Sequence, residues 1–127
     1  MRDIETREDL ETLLAEFYRI ATTDEEIGHH FDDLDLKTHL PVIADFWEKI
    51  LFGNPVYFGN PLVVHQILHE KARLTLSNFQ RWVEIFTRTV DRLFAGKTAD
   101  AAKLRAKMIA HSLNQNLNGG IGISKNN

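Results

Sequence analysis

The sequence contains no cysteine, which excludes disulfide bonds and thiolate ligands to a metal ion. It also has no apolar run of the ~20 residues that a helix needs to cross a bilayer. Its acidic amino terminus does not resemble a secretory signal. The formal net charge is −3 and the basic residues form no stripe, so nucleic acid is a poor candidate partner. These absences predict a cytoplasmic protein that binds neither membranes nor nucleic acid.

The composition is that of an ordinary globular domain. Hydrophobic residues make up 43% and charged residues 26% of the 127 residues. A chain of this size and composition can form one hydrophobic core that needs no disulfide bond or metal ion to stabilise it. Apolar residues recur with a helical period, as in Leu10, Leu14 and Phe17, and no segment alternates like a strand. We therefore predict an all-α fold of about five or six helices. A single domain should cover residues 1–117, and residues 118–127, rich in glycine, should form a frayed or disordered tail.

Polar residues at the starts of the apolar stripes predict where the helices begin. The second helix should carry Pro41 in its first turn, where a missing N–H costs nothing, and Gly53 should end it. The third helix should be short, from Pro61 to about Glu70. The fourth should begin with a capping box between Ser77 and Gln80. The predicted N-terminal caps are Thr6, Thr38, Asn60, Ser77 and Thr98.

Two of the six histidines, His65 and His69, lie four residues apart on the short third helix and so share one face. Such a pair can chelate a divalent metal ion. It is not the zinc-protease arrangement, because the glutamate, Glu70, lies outside the pair, and a closed zinc site would need further ligands. The alternative is one surface histidine beside one partly buried histidine.

Aromatic residues from four separate segments form either a plain core or the lining of a large, flat cofactor. Such a cofactor needs apolar walls, few polar groups and one neutral imidazole to reach an iron. Tyr18 continues the ridge of Leu10 and Leu14, so it should face inward, and its buried hydroxyl needs a hydrogen-bond partner. The aromatic residues are Phe17, Tyr18, Phe31, Phe46, Trp47, Phe79, Trp82 and Phe86.

Five segments, in this order, resemble the truncated haemoglobins, and specifically their third group. The resemblance extends from Leu10 to Leu117. The lone Gly28 favours the third group, because the first and second groups typically carry paired glycines near the early loops. The segments are Phe17-Tyr18, Gly28-His29-His30-Phe31, His39 to Phe46-Trp47, Gly59-Asn60-Pro61-Leu62 and Phe79-Gln80-Arg81-Trp82.

The resemblance implies a two-over-two helical sandwich around haem b, with the iron on a proximal histidine. Trp82 follows His69 by 13 residues and His65 by 17, and the shorter spacing is close to that of the family. His69 is therefore the predicted iron ligand, with His65 one turn away at the haem edge. Counting forward from Pro61 and Leu62 favours His65 instead.

The resemblance also implies which residues surround the haem. Tyr18 and Trp82 should donate hydrogen bonds to the diatomic ligand, with His39 as a gate or a third donor. Arg73 is a candidate partner for a haem propionate, as are Lys71 and Arg81. The implied lining of the cofactor is Phe31, Ile43, Phe46, Trp47, His65, Leu68 and Phe79.

The sequence leaves three hypotheses for the function of the protein. The first is reversible binding of dioxygen and related diatomic ligands, for oxygen transport, storage or sensing. The second is a haem enzyme that detoxifies nitric oxide or peroxide and draws on a reductase partner. The third is a haem-free helical interaction domain. The first is our prediction, and we expect the protein to be a monomer.

Overall fold

The computed structural model describes residues 1–119, which form five α-helices and two short helical turns and contain no β-strand. The all-helical prediction is therefore confirmed. Within this part of the chain, no helix is both long and apolar enough to cross a membrane. The helices are α1 (Arg7–Ala21), α2 (Leu36–Phe52), α3 (Pro61–Lys71), α4 (Leu76–Leu93) and α5 (Lys97–Asn114); a 3₁₀ turn spans Gly28–Phe31 and a π-helical turn spans Gln115–Gly119.

Two of the predicted helix starts are confirmed. The Thr6 hydroxyl accepts the Asp9 N–H at 3.2 Å, and the Asp9 carboxylate accepts the Thr6 N–H at 3.0 Å, which completes a capping box at α1. At α3, the Asn60 side chain accepts the Leu62 N–H at 3.1 Å, and Pro61 is the first helical residue. Gly53, with a φ of 74°, ends α2 as expected.

The other predicted caps were wrong by two or three residues. Asp35, not Thr38, caps α2, so Pro41 lies inside the helix rather than in its first turn. Thr75, with Asn78, forms the capping box of α4 in place of Ser77 and Gln80.

The start of α5 is capped from a distant part of the chain. The Asp3 carboxylate accepts the backbone N–H groups of Thr98, at 2.9 Å, and Ala99, at 2.8 Å. Thr98 is therefore not the cap. The helix begins after Gly96, and the carboxylate lies where the positive end of the helix dipole favours an anion.

Two apolar clusters hold the helices together. The main cluster joins α1, α2, α4 and α5 and contains Leu10, Phe17, Tyr18, Trp47 and Phe86 among others. The second cluster contains Leu74, Phe79, Ala110 and Leu113, with Leu62 and Leu68 of α3 packed against it. Trp82 and Ile109 contact both clusters.

The C-terminal part of the described chain covers the connection between α3 and α4. The Asn118 side chain donates to the Leu74 carbonyl at 2.7 Å. Residues 118 and 119 of the predicted tail thus belong to the π-helical turn, and residues 120–127 lie outside the described part of the chain.

Candidate functional site

His65 has the hydrogen bond expected of a metal-binding imidazole. Its Nδ1 lies 2.7 Å from the carbonyl oxygen of Pro61, one turn earlier on α3. Since a carbonyl can only accept, Nδ1 carries the proton, and Nε2 of the neutral ring keeps a free lone pair. Burial lowers the pKa of His65, against the opposing effect of the bond to Pro61, and so favours that neutral ring. The side chain therefore presents Nε2 as a ligand.

His69 has the opposite arrangement. The backbone N–H of Leu74 donates to His69 Nδ1 at 3.0 Å. Because an N–H can only donate, Nδ1 holds the lone pair and the proton of the neutral ring is on Nε2. Although both histidines lie on α3, their hydrogen bonds favour His65 over His69 as a metal ligand.

Tyr18 lies on the inner side of α1 with only 9% of its surface exposed, which confirms the predicted inward direction. Its ring packs edge-on against Phe17, at 4.9 Å between centroids, and Phe31, at 5.5 Å. Burial alone raises the pKa of Tyr18 far above its usual range, and within residues 1–119 no hydrogen bond to its hydroxyl opposes this effect. The hydroxyl is thus a protonated donor in apolar surroundings.

Trp82 connects the two sides of the candidate site. Its ring stacks on Phe86, with 5.6 Å between centroids and 15° between planes, and meets Phe17 edge-on at 5.9 Å. It also packs against the second cluster, which α3 contacts. Trp82 therefore lies between the aromatic residues around Tyr18 and the helix that carries His65.

The predicted lining residues divide between the two clusters. Besides His65, which lies on α3, four of them pack in or against the main cluster, and the other two belong to the second cluster or pack on it. Apart from the second cluster, α3 contacts mainly the C-terminal turn. Two apolar side chains, Val42 of α2 and Val64 of α3, are exposed. Apolar walls on two sides and one imidazole Nε2 fit a large, flat metal cofactor. The main-cluster residues are Phe31, Ile43, Phe46 and Trp47, and the others are Leu68 and Phe79.

Three polar residues of the predicted site lie at the surface. His39 is exposed on α2, one turn before the half-buried Ile43. Arg73 and Lys71 are exposed near the end of α3. They occupy the rim of the molecule rather than the aromatic interior.

Arg81, the third candidate partner for a propionate, forms ion pairs with two carboxylates of the chain. Its guanidinium pairs with Asp24 at 2.7 Å and with Glu84 at 2.6 Å. Asp24 belongs to the loop before the 3₁₀ turn, and this bond to Arg81 lowers the pKa of Asp24. Arg81 therefore holds a loop in place instead of facing the site.

The Asp24–Arg81 pair is one of three contacts that we call the loop clamp. The Ser77 hydroxyl donates to Glu26 at 2.7 Å, and His30 Nε2 donates to Asn78 Oδ1 at 3.1 Å. Together they fix the loop that leads to Phe31 onto the start of α4. Sequence reasoning missed this clamp, because its partners are about 50 residues apart and no spacing rule joins them.

An open depression of about 400 Å³ lies beside the loop clamp. Its lining is mostly polar and charged, which does not suit a flat apolar cofactor. The depression is thus separate from the candidate site. It is lined by Ile20, Thr23, Asp24, Glu25, Glu26 and Arg81.

Comparison with known proteins gives three matches. A family profile described as bacterial-like globin matches residues 3–115. The group 3 truncated hemoglobin ctb of Campylobacter jejuni is 26% identical over 110 residues, which cover 82% of this chain and 84% of that protein. The crystal structure of a group III truncated hemoglobin from Campylobacter jejuni is similar with a TM-score of 0.83 and 25% identity, over 96% of this chain and 99% of that one.

Proposed function

The chain belongs to the bacterial-like globin family, and from that premise we propose that it holds haem b between α2, α3 and α4 through His65 and binds a diatomic ligand beside Tyr18. The truncated globin fold and the similarity to group 3 truncated haemoglobins, both predicted from the sequence, are confirmed. The globin family binds diatomic gases at haem iron, so haem iron is the cofactor.

The hydrogen bond between His65 and Pro61 supports His65 as the iron ligand. The His65 Nδ1–H donates to the Pro61 carbonyl at 2.7 Å, which orients the ring and leaves Nε2 free. We therefore assign the iron to His65 rather than to His69, which the spacing to Trp82 favoured. That spacing includes the α3–α4 connection, whose path a residue count does not fix.

On the opposite side we propose Tyr18 and Trp82 as donors to the ligand. The haem supplies an iron that takes the diatomic ligand, and the chain supplies the surroundings. A protonated hydroxyl in an apolar setting stabilises negative charge on a ligand more than bulk water does. His39, exposed on α2, would act at the rim as a gate or a third donor.

The remaining proposed residues hold the cofactor without reacting. An apolar lining excludes water, and a cation at the rim pairs with a propionate carboxylate. Arg73, exposed near the end of α3, is the proposed cation. The proposed lining is Phe31, Ile43, Phe46, Trp47, Leu68 and Phe79, with Phe31 packed edge-on against Tyr18 at 5.5 Å.

The second candidate is a haem enzyme that detoxifies nitric oxide or peroxide with electrons from a reductase. The pair of donors, Tyr18 and Trp82, around the same Phe17 ring favours it, because a donor-rich pocket slows ligand release. Mixing the oxygenated protein with nitric oxide in a stopped-flow instrument tests it. With a reductase and an electron donor added, nitrate formed in excess of the protein would support turnover, whereas a single equivalent of nitrate would contradict it. We also propose that the protein is a cytoplasmic monomer.

The proposal is tested by adding haemin to the purified chain. We expect an intense Soret band that saturates at about one haemin per chain, and a haem b signature after extraction into alkaline pyridine. A chain that stays colourless with excess haemin would contradict the proposal.

A further inference from the structure

His69 is the half of the histidine pair that the proposed function leaves without a role. It lies in the last turn of α3, and its ring reaches forward to the backbone N–H of Leu74 at 3.0 Å. The bond therefore spans the α3–α4 connection, which ends at Thr75, the cap of α4.

Leu74, the partner of His69, is itself held on its other side. Its side chain is buried in the second cluster, and its carbonyl accepts from Asn118 at 2.7 Å. The Asn118 side chain also donates to Asn114 on α5, at 2.8 Å. A chain of hydrogen bonds therefore runs from α3 through Leu74 to the C-terminal end of α5.

Among the described side chains of α3 and the segment before it, several apolar ones are largely exposed and do not fix the helix's orientation. Val64 and Ile67 are each about half exposed, and Phe58, just before the helix, is 90% exposed. Leu62 and Leu68 pack on the second cluster, but apolar packing is non-directional. A hydrogen bond at the end of the helix is directional, so it can define the helix's rotation and tilt.

We propose that His69 is a positioning residue, whose bond to the Leu74 N–H fixes α3 so that the His65 imidazole is held in its place. This inference rests on the proposed function, in which His65 is the ligand. It accounts for two histidines on one helix with one iron to bind. His65 acts through Nε2, and His69 acts through Nδ1.

Two substitutions separate positioning from ligation. In His69→Asn, the carboxamide oxygen can replace Nδ1 as the acceptor, whereas His69→Leu keeps bulk and removes the acceptor. Hydrogen exchange of the Leu74 amide, measured on the haem-free chain, should speed up by about tenfold in His69→Leu and stay near wild type in His69→Asn. The exposed His111 on α5, changed to Leu, is the control and should leave the Leu74 amide unchanged.

The haem-loaded protein provides the second measurement. We expect His69→Leu to keep its Soret band but to broaden or shift the iron–histidine stretching band in the ferrous Raman spectrum, and His69→Asn to restore it. Loss of the iron–histidine band in both His69 variants would identify His69 as the ligand and overturn the inference. Leu74 exchange that does not respond to His69→Leu would also overturn it. That exchange result is independent of haem, so it is distinguishable from failure of the proposed function.

Discussion

Burial raises the pKa of Tyr18, and no hydrogen bond from the described residues to its hydroxyl offsets this increase. The ring packs edge-on against Phe31. If the Tyr18 hydroxyl donates to bound oxygen, the bond should contribute about 1.5–3 kcal/mol, as hydrogen bonds to charged groups do. We predict that Tyr18→Phe speeds oxygen dissociation by at least about tenfold, since ~1.4 kcal/mol corresponds to one decade. Stopped-flow oxygen dissociation measures this directly.

Carbon monoxide provides the internal control for Tyr18. It carries less charge when bound, so its dissociation should respond much less to Tyr18→Phe. The double change with Trp82→Phe should exceed either single change if both side chains donate. A large effect in Trp82→Phe alone, with Tyr18→Phe unchanged, would show that Tyr18 is the wrong donor.

His30 should make the loop clamp sensitive to acid. Burial lowers the pKa of His30, the bond to Asn78 opposes this, and neighbouring His29 lowers it further. The folded chain therefore binds fewer protons than the unfolded chain, so the free energy of unfolding should fall as the pH drops below about 6.5. This loss of unfolding free energy is complete once the pH is below the pKa that His30 has in the folded chain.

The variant His30→Gln isolates this effect. A glutamine amide can keep the donor to Asn78 but does not titrate. Between about pH 7 and about pH 5, the melting temperature should fall less for His30→Gln than for wild type. His111→Gln, on the exposed side of α5, is the matched control. Equal pH dependence in wild type and His30→Gln would refute the assignment.

The sequence predicted the direction of the Tyr18 side chain, but it could not predict which nitrogen of His65 or His69 carries the proton. The ridge of Leu10 and Leu14 correctly predicted that Tyr18 faces inward, because a helix repeats its faces every three or four residues. The same rule places His65 and His69 together and cannot rank them. Their difference lies in which backbone group each Nδ1 meets, and that depends on the folded path of the chain.

Among the elements, the loop before the 3₁₀ turn depends most on polar contacts. The Asp24 side chain is only 6% exposed, so its pair with Arg81 is better shielded than a surface ion pair. We predict that Asp24→Asn lowers the free energy of unfolding by at least about 1 kcal/mol, measured by urea titration. The control is Lys103→Met, which removes the pairs with exposed Asp91, at 2.6 Å, and exposed Asp100, at 3.5 Å, and should have a smaller effect.

A double-mutant cycle decides whether Asp24 acts through Arg81. The combined change Asp24→Asn with Arg81→Gln should cost less than the two single changes added together, because they remove the same bond. Additive costs would mean that the loop is held by its other contacts. Those contacts are the Glu26–Ser77 and His30–Asn78 hydrogen bonds.

The helices were predictable as elements, but three of their caps were not. Stripes of apolar residues predicted α1, α2, α4 and α5, because burial requires the 3.6-residue period, and the Asn60-Pro61 start predicted α3. The predicted caps Thr38 and Ser77 have the same chemistry as the true caps, Asp35 and Thr75, so the sequence cannot choose between them. The cap of α5, Asp3, lies 95 residues from the N–H that it accepts, beyond any local rule.

For the whole molecule, the predicted family is confirmed, whereas the iron ligand stays a proposal. Aromatic segments in the order of the truncated haemoglobins predicted the fold, and the similarity to the solved group III truncated hemoglobin confirms it. The iron ligand instead depends on how α3 is oriented between the second cluster and the C-terminal turn. Contacts between distant segments determine that orientation.

Removing the His65 side chain tests whether His65 holds the haem iron. In His65→Gly, the ferrous spectrum should lose the five-coordinate histidine form, and added imidazole should restore it by occupying the space of the lost ring. His69→Gly should keep the wild-type spectrum without imidazole. A normal ferrous spectrum in His65→Gly, with imidazole needed only by His69→Gly, would show that His69 and not His65 is the iron ligand.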